Sequence, residues 1–212
     1  REAKEITRSL YCYRDLKNSN RIDKSIGSLG GGNHFIELNK DESGLLYLVV
    51  HTGSRNLGKQ VADFYQQMAI KSLTKDGETL LPKALCFLQG EQKEKYLHDM
   101  KLCQRWAVLN RKLIMGLLLD FLQANSYVSS VNKEDAFESV HNYISDENLI
   151  RKGAISAKLG EKCIIPMNMR DGSLICIGKG NEDWNNSAPH GAGRVMSRTK
   201  AFEIIELNDF KE

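Results

Sequence analysis

The sequence predicts a domain of the α/β (α+β) class. Three observations support this class: a long stretch with apolar residues every three or four positions, several short apolar runs typical of strands, and glycine-rich turns between them. We find no internal repeat, no low-complexity tract and no linker rich in proline or serine. We therefore expect residues 1–212 to form one domain with a helical insertion.

The first third of the chain contains two helical patterns on either side of two strands. Apolar residues at helical spacing predict a helix over residues 1–17, and a glycine-rich turn follows at 30–32. Strands are predicted at 34–38 and 45–50, because both runs are short, apolar and bounded by turn residues. Residues 56–73 return to helical spacing.

The longest predicted element is a helix over residues 91–124. Its apolar stripe runs through Leu102, Trp106, Leu109, Leu113, Leu117 and Phe121. Short strand-like runs then follow, at residues 137–143, 148–151, 162–166 and 173–177. A last helix or strand is expected to end near Leu207.

Composition excludes several classes of protein. With 41% hydrophobic residues in 212, the chain can bury a core and is not disordered, and its longest clean apolar run, residues 45–50, is too short to span a membrane. Five scattered cysteines without a Cys-x-x-Cys pair favour free thiols and a cytoplasmic location. The net charge of +3 does not by itself indicate nucleic acid, but basic residues outnumber acidic ones between 151 and 200.

Three histidines lie at the edges of predicted strands. His34, His51 and His141 stand beside asparagine or threonine rather than within an apolar face. Imidazoles that meet from distant parts of a chain can form a metal site. The alternative stays open at this point, because a lone histidine is more often an ordinary core or surface residue. His98 lies on the polar side of the long helix and has no predicted role.

Three glycine-containing loops indicate phosphate binding. They lie at residues 30–32, 52–55 and 190–194, and each adjoins a histidine or an arginine. Glycine lets backbone amides approach a ligand closely, and the loop at 52–55 leads into a helix whose free amides, with Arg55, can hold an anion. A tight turn is the commoner interpretation of any one such loop. Three together favour phosphate chemistry.

His190 differs from the other histidines, because it directly precedes a Gly-Ala-Gly segment. A neutral imidazole at this position could attack phosphorus and form a covalent intermediate. The alternative is a loop histidine that only hydrogen-bonds a phosphate. The chain has neither a Gly-x-Ser-x-Gly elbow nor a Gly-x-x-x-x-Gly-Lys-Ser/Thr loop, so a serine hydrolase or an ordinary P-loop nucleotidase is not expected.

Five motifs in one order resemble the RtcB family of RNA ligases. They are Gly27-Ser-Leu-Gly-Gly-Gly-Asn-His-Phe-Ile-Glu37, His51-Thr-Gly-Ser-Arg55, His141-Asn142, Arg151-Lys-Gly-Ala154 and His190-Gly-Ala-Gly-Arg194. The resemblance covers roughly residues 21–201. It implies the family's fold, a β-rich core with long packed helices. It also implies GTP- and Mn²⁺-dependent joining of RNA 2′,3′-cyclic-phosphate or 3′-phosphate ends to 5′-hydroxyl ends, in RNA repair or tRNA splicing.

The resemblance also assigns roles to individual residues. His190 matches the histidine that carries GMP, and His34, His51 and His141 match manganese ligands of what we expect to be a two-metal site. Arg55 and Arg194 are expected to contact phosphate or RNA. The positions matched to GTP contacts are Asn33, His34, Phe35, Ile36, Glu37, His141, Asn142, Pro166, Met167, Asn168, Met169, Ser173, His190, Gly191, Ala192 and Gly193.

The sequence departs from the family pattern in three ways. The family's Asp-x-x-Cys metal segment and its C-terminal guanine-contacting lysine have no match here, so we expect the core of a longer ligase. Where the family has Pro-Gly-Ser-Met, this chain has Pro166-Met-Asn-Met169, similar to a shorter branch found beside a release-factor homologue. Two other functions stay open: a non-catalytic nucleotide- or RNA-binding core, and a metal-dependent RNA phosphoesterase. The sequence indicates no particular protein partner.

Overall fold

The chain folds into two compact units, Arg1–Val131 and Asn132–Glu212. A computed structural model describes residues 1–206 and residue 208. Helices and strands are mixed along the described chain, which confirms the α+β class. The expectation of one domain over residues 1–212 and the expectation of a β-rich core arranged as in RtcB stay predictions. Among the described helices, none has a stretch both long and apolar enough to cross a membrane.

The first unit contains four helices and two short strand pairs. The helices are α1 (Glu2–Arg8), α2 (Ser19–Asp23), α3 (Leu57–Ser72) and α4 (Gly90–Ala124). The strands are β1 (Phe35–Lys40), β2 (Leu46–His51), β3 (Thr74–Lys75) and β4 (Glu78–Thr79), paired as antiparallel β1–β2 and β3–β4. The predictions for β1, β2, α3 and α4 are confirmed to within about two residues at each end.

The first helix is shorter than the periodicity predicts, and a buried carboxylate explains why. Helix α1 ends at Arg8, and only a 3₁₀ turn follows, at Tyr13–Asp15. The backbone amides of Tyr11 and Cys12 donate to the two oxygens of Asp99 on α4, at 2.9 and 3.1 Å. These amides would otherwise close helical turns, so α1 stops where Asp99 binds them.

Asp99 organises the core around it. Its carboxylate is fully buried and also accepts hydrogen bonds from the Tyr65 hydroxyl of α3, at 2.8 Å, and from His98 Nδ1, at 3.0 Å. The core that surrounds these groups is mainly helical. It consists of Ala3, Ile6, Leu10, Cys12, Ile22, Leu57, Val61, Tyr65, Leu102, Cys103 and Trp106.

The apolar stripe of α4 is only partly buried. Leu102 and Trp106 lie in the core, as predicted, and the last buried residue of this helix is Ile114. Leu113, Leu117 and Phe121 are exposed, so the prediction of a continuous core face is wrong beyond this point. Elements α1, α3 and β2 all pack against α4, but helical spacing alone carries no information about where along a helix its packing partners end.

The second unit is built from short antiparallel pairs and one helix. Its elements are β5 (Tyr143–Ile144), β6 (Ile150–Arg151), β7 (Ala154–Ser156), β8 (Lys162–Asn168), β9 (Gly172–Ile177), β10 (Ser187–Pro189) and α5 (Arg198–Ile204). The pairs are β5–β6, β7–β10 and β8–β9. The strand runs at 162–166 and 173–177 are confirmed. The predicted end of the last element, Leu207, lies outside the described residues.

The strand expected at residues 137–143 is wrong except for its last residue. Within that run, the Ser139 hydroxyl accepts the backbone amide of Ile164, at 3.0 Å. This side-chain contact takes the β8 amide that a backbone carbonyl would need for a ladder. The run at 148–151 shortens to β6, because Asn148 adopts a left-handed conformation with φ of 59° in the preceding turn.

Replacing Asp99 is expected to destabilise the first unit strongly. Asp99→Asn removes the charge and one acceptor from a fully buried group, which should lower the free energy of unfolding by about 2–3 kcal/mol at neutral pH. Asp63→Asn is the matched control, because Asp63 is exposed and pairs only with Lys59 on the surface of α3. Its substitution should cost less than about 0.5 kcal/mol. Urea unfolding of both variants provides the comparison.

The loss of stability caused by Asp99→Asn should depend on pH. Burial opposes ionisation of Asp99, but the hydrogen bonds that it accepts outweigh burial and lower the pKa of its carboxyl. A carboxyl whose pKa is lower in the folded than in the unfolded chain stabilises the folded state at pH values above its unfolded pKa, which is about 4. This contribution disappears as the pH falls through the pKa of the folded state. The stability gap between the wild type and Asp99→Asn should therefore shrink on acidification. A gap that is independent of pH would contradict the ionised form.

Candidate functional site

In the first unit, two of the predicted metal ligands lie at the open end of the β1–β2 hairpin. Phe35 is the register partner of His51, and His34 directly precedes Phe35. The ring centroids of His34 and His51 are 6.2 Å apart, and the Phe35 ring lies 5.0 Å from that of His51. The structure thus brings together two histidines that are separated by a whole hairpin in the sequence.

The His34 imidazole is held in its neutral form. Burial lowers the pKa of His34, and the positive charge of Arg55 lowers it further, against a smaller opposing effect of the Leu29 backbone. Its Nδ1 atom is buried and has no hydrogen-bond partner. A buried nitrogen without a partner is uncommon, and a neutral imidazole is the form that binds metals. These properties fit a metal ligand.

Arg55 lies directly over the glycine-rich loop. Its Nε donates to the Ser28 hydroxyl at 3.0 Å. A Cβ placed on Gly30 would fall 1.7 Å from Arg55 Nη1 and 2.8 Å from His34 Nδ1, so only glycine leaves room for both side chains. The sequence-predicted anion contact therefore stands beside the sequence-predicted metal ligand, within a single unit.

A residue that the sequence analysis missed joins the two loops. Asn110 of α4 is fully buried, and its Oδ1 accepts the Gly27 amide at 2.7 Å. Its Nδ2 donates to the carbonyl oxygens of Ser28 and Gly53, at 3.2 and 3.3 Å. The signal was present in the sequence, because Asn110 lies four residues after the buried Trp106 and four before Ile114. A polar residue at such a position needs partners.

The other predicted positions of the first unit have simpler surroundings. Asn33 and Ile36 are exposed. Glu37 is half-buried, and its carboxylate accepts a long hydrogen bond from Asn39 Nδ2, at 3.3 Å. The loops are further joined by the Thr52 hydroxyl, which donates to the Leu29 carbonyl at 2.6 Å.

In the second unit, His190 has a defined proton position. Its Nδ1 lies 2.7 Å from the carbonyl oxygen of Gly153. A carbonyl oxygen can only accept, so Nδ1 carries the proton, and in the neutral ring Nε2 keeps its lone pair. The ring centroid of His141 lies 4.8 Å from that of His190. The nitrogen available for chemistry is therefore Nε2.

The backbone around His190 is held by the other motifs of this unit. Asn142 Oδ1 accepts the Gly153 amide at 2.9 Å, so one residue connects the His141-Asn142 motif to the carbonyl that orients His190. Strand β7 pairs with β10 so that Ala154 faces Pro189, immediately before His190. The structure thus brings together the motifs at 141–142, 151–154 and 190–194 within the second unit.

The β8–β9 hairpin contacts the loop that follows His190. The Pro166 carbonyl accepts the Ala192 amide at 3.2 Å, and a Cβ on Gly191 would lie 3.3 Å from the same oxygen. Ser173 is the register partner of Pro166, and its hydroxyl is buried without a hydrogen-bond partner. A buried hydroxyl of this kind can bind a ligand at no cost to an existing contact.

The remaining predicted contacts of the second unit are more exposed. Asn168 uses its side chain within its own turn, where Oδ1 accepts the amides of Arg170 and Asp171. Met167 is half-buried, whereas Met169, Gly193 and Arg194 are exposed. The predictions for these four positions stay predictions.

Arg151, the first residue of the motif at 151–154, has a structural role that the sequence did not reveal. It is 3% exposed, and its guanidinium donates to the Ser187 hydroxyl, the Tyr143 hydroxyl and the Asn185 carbonyl, at 3.0, 3.2 and 3.1 Å. All three acceptors are neutral. The guanidinium therefore fixes β10 beside β6, and through them the turn that presents the Gly153 carbonyl to His190.

Neither unit by itself holds a complete metal site. Within each unit, the described residues contain no group of three or more His, Cys, Asp or Glu side chains that could hold a metal ion. The prediction that His34, His51 and His141 bind manganese stays a prediction. What the first unit supports is a pair of histidines, one of them neutral and with an unused buried nitrogen.

Comparison with known proteins identifies what this chain resembles. The family model described as tRNA-splicing ligase RtcB matches residues 9–212. RNA-splicing ligase RtcB of Escherichia coli K12 is 37% identical over 210 residues, which cover 93% of this chain and 51% of that protein. The tRNA-splicing ligase RtcB of Methanococcus maripaludis is 28% identical over 233 residues, which cover 88% and 48%. The chain spans about half the length of the curated relatives it matches.

Alanine at Gly30 should disturb the first unit, and alanine at Gly31 should not. At Gly30 a methyl group would collide with the Arg55 guanidinium, and the φ of 92° is strained for any other residue. We expect Gly30→Ala to cost about 1–3 kcal/mol of unfolding free energy. Gly31 has open space around it, so Gly31→Ala should stay within about 0.5 kcal/mol of the wild type. Equal effects in urea unfolding would contradict the close approach of Arg55.

The proton position on His190 can be measured directly. We expect the neutral ring to be protonated at Nδ1, because the Gly153 carbonyl accepts from that atom. Long-range ¹H–¹⁵N correlation spectra of the histidine-labelled chain distinguish the two tautomers, and His190→Gln assigns the signal. A ring protonated mainly at Nε2 would show that the Gly153 contact does not orient the histidine.

Proposed function

Because this chain belongs to the RtcB family, we propose that it carries the nucleotide-transfer machinery of a GTP-dependent RNA ligase. The ligase joins RNA 2′,3′-cyclic-phosphate or 3′-phosphate ends to 5′-hydroxyl ends, in RNA repair or tRNA splicing. The observation that carries the proposal is the hydrogen bond from His190 Nδ1 to the Gly153 carbonyl. It leaves Nε2 as a nucleophile next to glycines whose amides can approach phosphate.

The proposed reaction has three transfers. Nε2 of His190 attacks the α-phosphorus of GTP, so that a nitrogen–phosphorus bond forms and pyrophosphate leaves. A terminal RNA 3′-phosphate then attacks the same phosphorus and releases the histidine, which activates the RNA end with GMP. Finally, a 5′-hydroxyl attacks the RNA phosphate and displaces GMP. The Gly153 carbonyl holds the Nδ1 proton and stabilises the ring as positive charge develops on it.

Phosphate binding is proposed for residues of the first unit. Arg55 carries its charge over the Gly30 loop. Among residues 1–206 it donates only to the neutral Ser28 hydroxyl, so its guanidinium has capacity for an anion. We assign His34 and His51 as manganese ligands of the first unit and His141 as a manganese ligand of the second. Bound Mn²⁺ would neutralise phosphate charge and polarise the attacked phosphorus.

Guanosine binding is proposed for residues around the β8–β9 hairpin. The buried Ser173 hydroxyl has no hydrogen-bond partner among the residues that the structure describes, and the Pro166 carbonyl already accepts the Ala192 amide. Ser173 therefore offers a donor and an acceptor to a ligand, while Pro166 keeps the loop after His190 in place. We further propose that the protein acts in the cytoplasm, because its five cysteines are free thiols, as is usual in a reducing compartment.

The first test is covalent transfer of GMP. After incubation of the chain with GTP and Mn²⁺, intact-mass measurement should show one added GMP, and His190→Ala should abolish it. Asp63→Asn is the control, because Asp63 is exposed on the surface of α3 and lies outside every motif, and this variant should keep the adduct. An adduct that survives in His190→Ala would remove His190 as the nucleophile.

The second test separates the ligase from the two other functions. Incubation of a 3′-phosphate RNA and a 5′-hydroxyl RNA with GTP and Mn²⁺ should give a joined product that depends on His190. A phosphoesterase would instead release inorganic phosphate without GTP. A binding core would retain GTP or RNA in a filter assay and give neither an adduct nor a joined product.

A further inference from the structure

Two cysteines of the second unit face each other across one strand pair. Cys163 of β8 and Cys176 of β9 are register partners in the antiparallel β8–β9 ladder. Directly opposite residues of such a ladder have side chains on the same face of the sheet. Both cysteines also belong to one apolar cluster with Ile155 and Ala157. The two thiols are therefore neighbours, although 12 residues separate them in the sequence.

The backbone hydrogen bonds of the β8–β9 ladder show whether Cys163 and Cys176 form a hydrogen-bonded or a non-hydrogen-bonded pair. Two residues farther along both strands, the Gly178 amide donates to the Glu161 carbonyl at 2.8 Å, which makes Glu161 and Gly178 a hydrogen-bonded pair. Because hydrogen-bonded and non-bonded pairs alternate, Cys163 and Cys176 form a hydrogen-bonded pair as well. The Ile164 amide agrees with this pattern, since it donates to Ser139 instead of to β9.

Hydrogen-bonded pairs have the Cα separation that a disulfide needs. Their Cα atoms lie about 5.5 Å apart, within the range of about 4.4–6.8 Å spanned by disulfides. Both cysteines are free thiols in this structure. A bond between them thus requires rotation of two side chains and no slip of the strands.

The two cysteines differ in solvent exposure. Cys163 is 2% exposed, and burial raises the pKa of its thiol, whereas Cys176 is only half-buried. A reagent dissolved in water therefore meets Cys176 first. Cys163 is placed to act second, from within the protein.

We propose that Cys163 and Cys176 form a reversible redox modification site, which a low-molecular-weight disulfide such as oxidised glutathione converts to an internal disulfide. The Cys176 thiolate attacks the glutathione disulfide, so that a mixed disulfide forms and one glutathione thiol leaves. The Cys163 thiolate then attacks the Cys176 sulfur and releases the second glutathione thiol. Two protein thiols are oxidised, and one glutathione disulfide is reduced to two thiols, which take up the two protons.

The site lies at the base of the hairpin that carries Pro166 and Ser173. Two residues separate Cys163 from Pro166, whose carbonyl accepts the amide of Ala192. A disulfide would join the two strands covalently below that contact. The proposed disulfide does not depend on GTP or RNA, so it can be tested independently of the ligase function.

The test counts thiols in the native chain. The native chain is equilibrated with oxidised glutathione, quenched with acid, and then unfolded and alkylated with N-ethylmaleimide so that buried thiols also react. Three of the five cysteines should be alkylated instead of five. Trypsin cleaves after Lys162, Arg170 and Lys179, so the link should join the peptide 163–170 to the peptide 171–179. Dithiothreitol should return all five alkylated thiols.

Two variants and an unfolded sample make the result specific. Cys176→Ser should abolish the internal link, and Cys103→Ser, which changes a buried cysteine of the first unit, should keep it. Five alkylated thiols in the native wild type, a persistent glutathione adduct on Cys176 without a link, or a link that forms only in urea would each overturn the proposal.

Discussion

The fully buried carboxylate of Asp99 is the group on which the first unit depends. A charge without water must receive hydrogen bonds from the protein, and Asp99 receives them from α3, from its neighbour His98 and from two backbone amides after α1. Two segments far apart in the sequence, α3 and the residues after α1, are thereby held against α4. The position of α4 in turn determines where Asn110 meets the loops that carry His34 and Arg55.

His34 and His190 have different surroundings, and each set of surroundings suits a different chemical role. Burial and the Arg55 guanidinium keep His34 neutral, which suits a nitrogen that binds a cation. His190 instead has its proton fixed on one nitrogen by a backbone carbonyl, which suits a ring that must attack through the other. In both cases a glycine, Gly30 or Gly153, sits against the side chain, since a larger residue would crowd or strain the site.

What the sequence predicted well were features encoded locally. Helices α3 and α4 and strands β1 and β2 follow from the spacing of apolar residues, and the motif loops follow from glycine and histidine side by side. The end of α1 could not be predicted, because the acceptor that ends it lies 87 residues away. Asn110 was missed although its spacing from Trp106 and Ile114 places it on the buried face of α4. The spacing indicates burial, but the partners of Asn110 lie 57 to 83 residues away and are set by tertiary packing.

Asn110 has a consequence for the order in which the first unit assembles. Its bond to Ser28 closes a separation of 82 residues, and its bond to Gly53 closes one of 57. Contacts over such separations cost much loop-closure entropy and form late, whereas α3 and α4 can form from local interactions. The loops that carry His34 and Arg55 therefore gain their final positions only after α4 has docked. During synthesis, these loops stay unformed until the ribosome has made the chain well past residue 110.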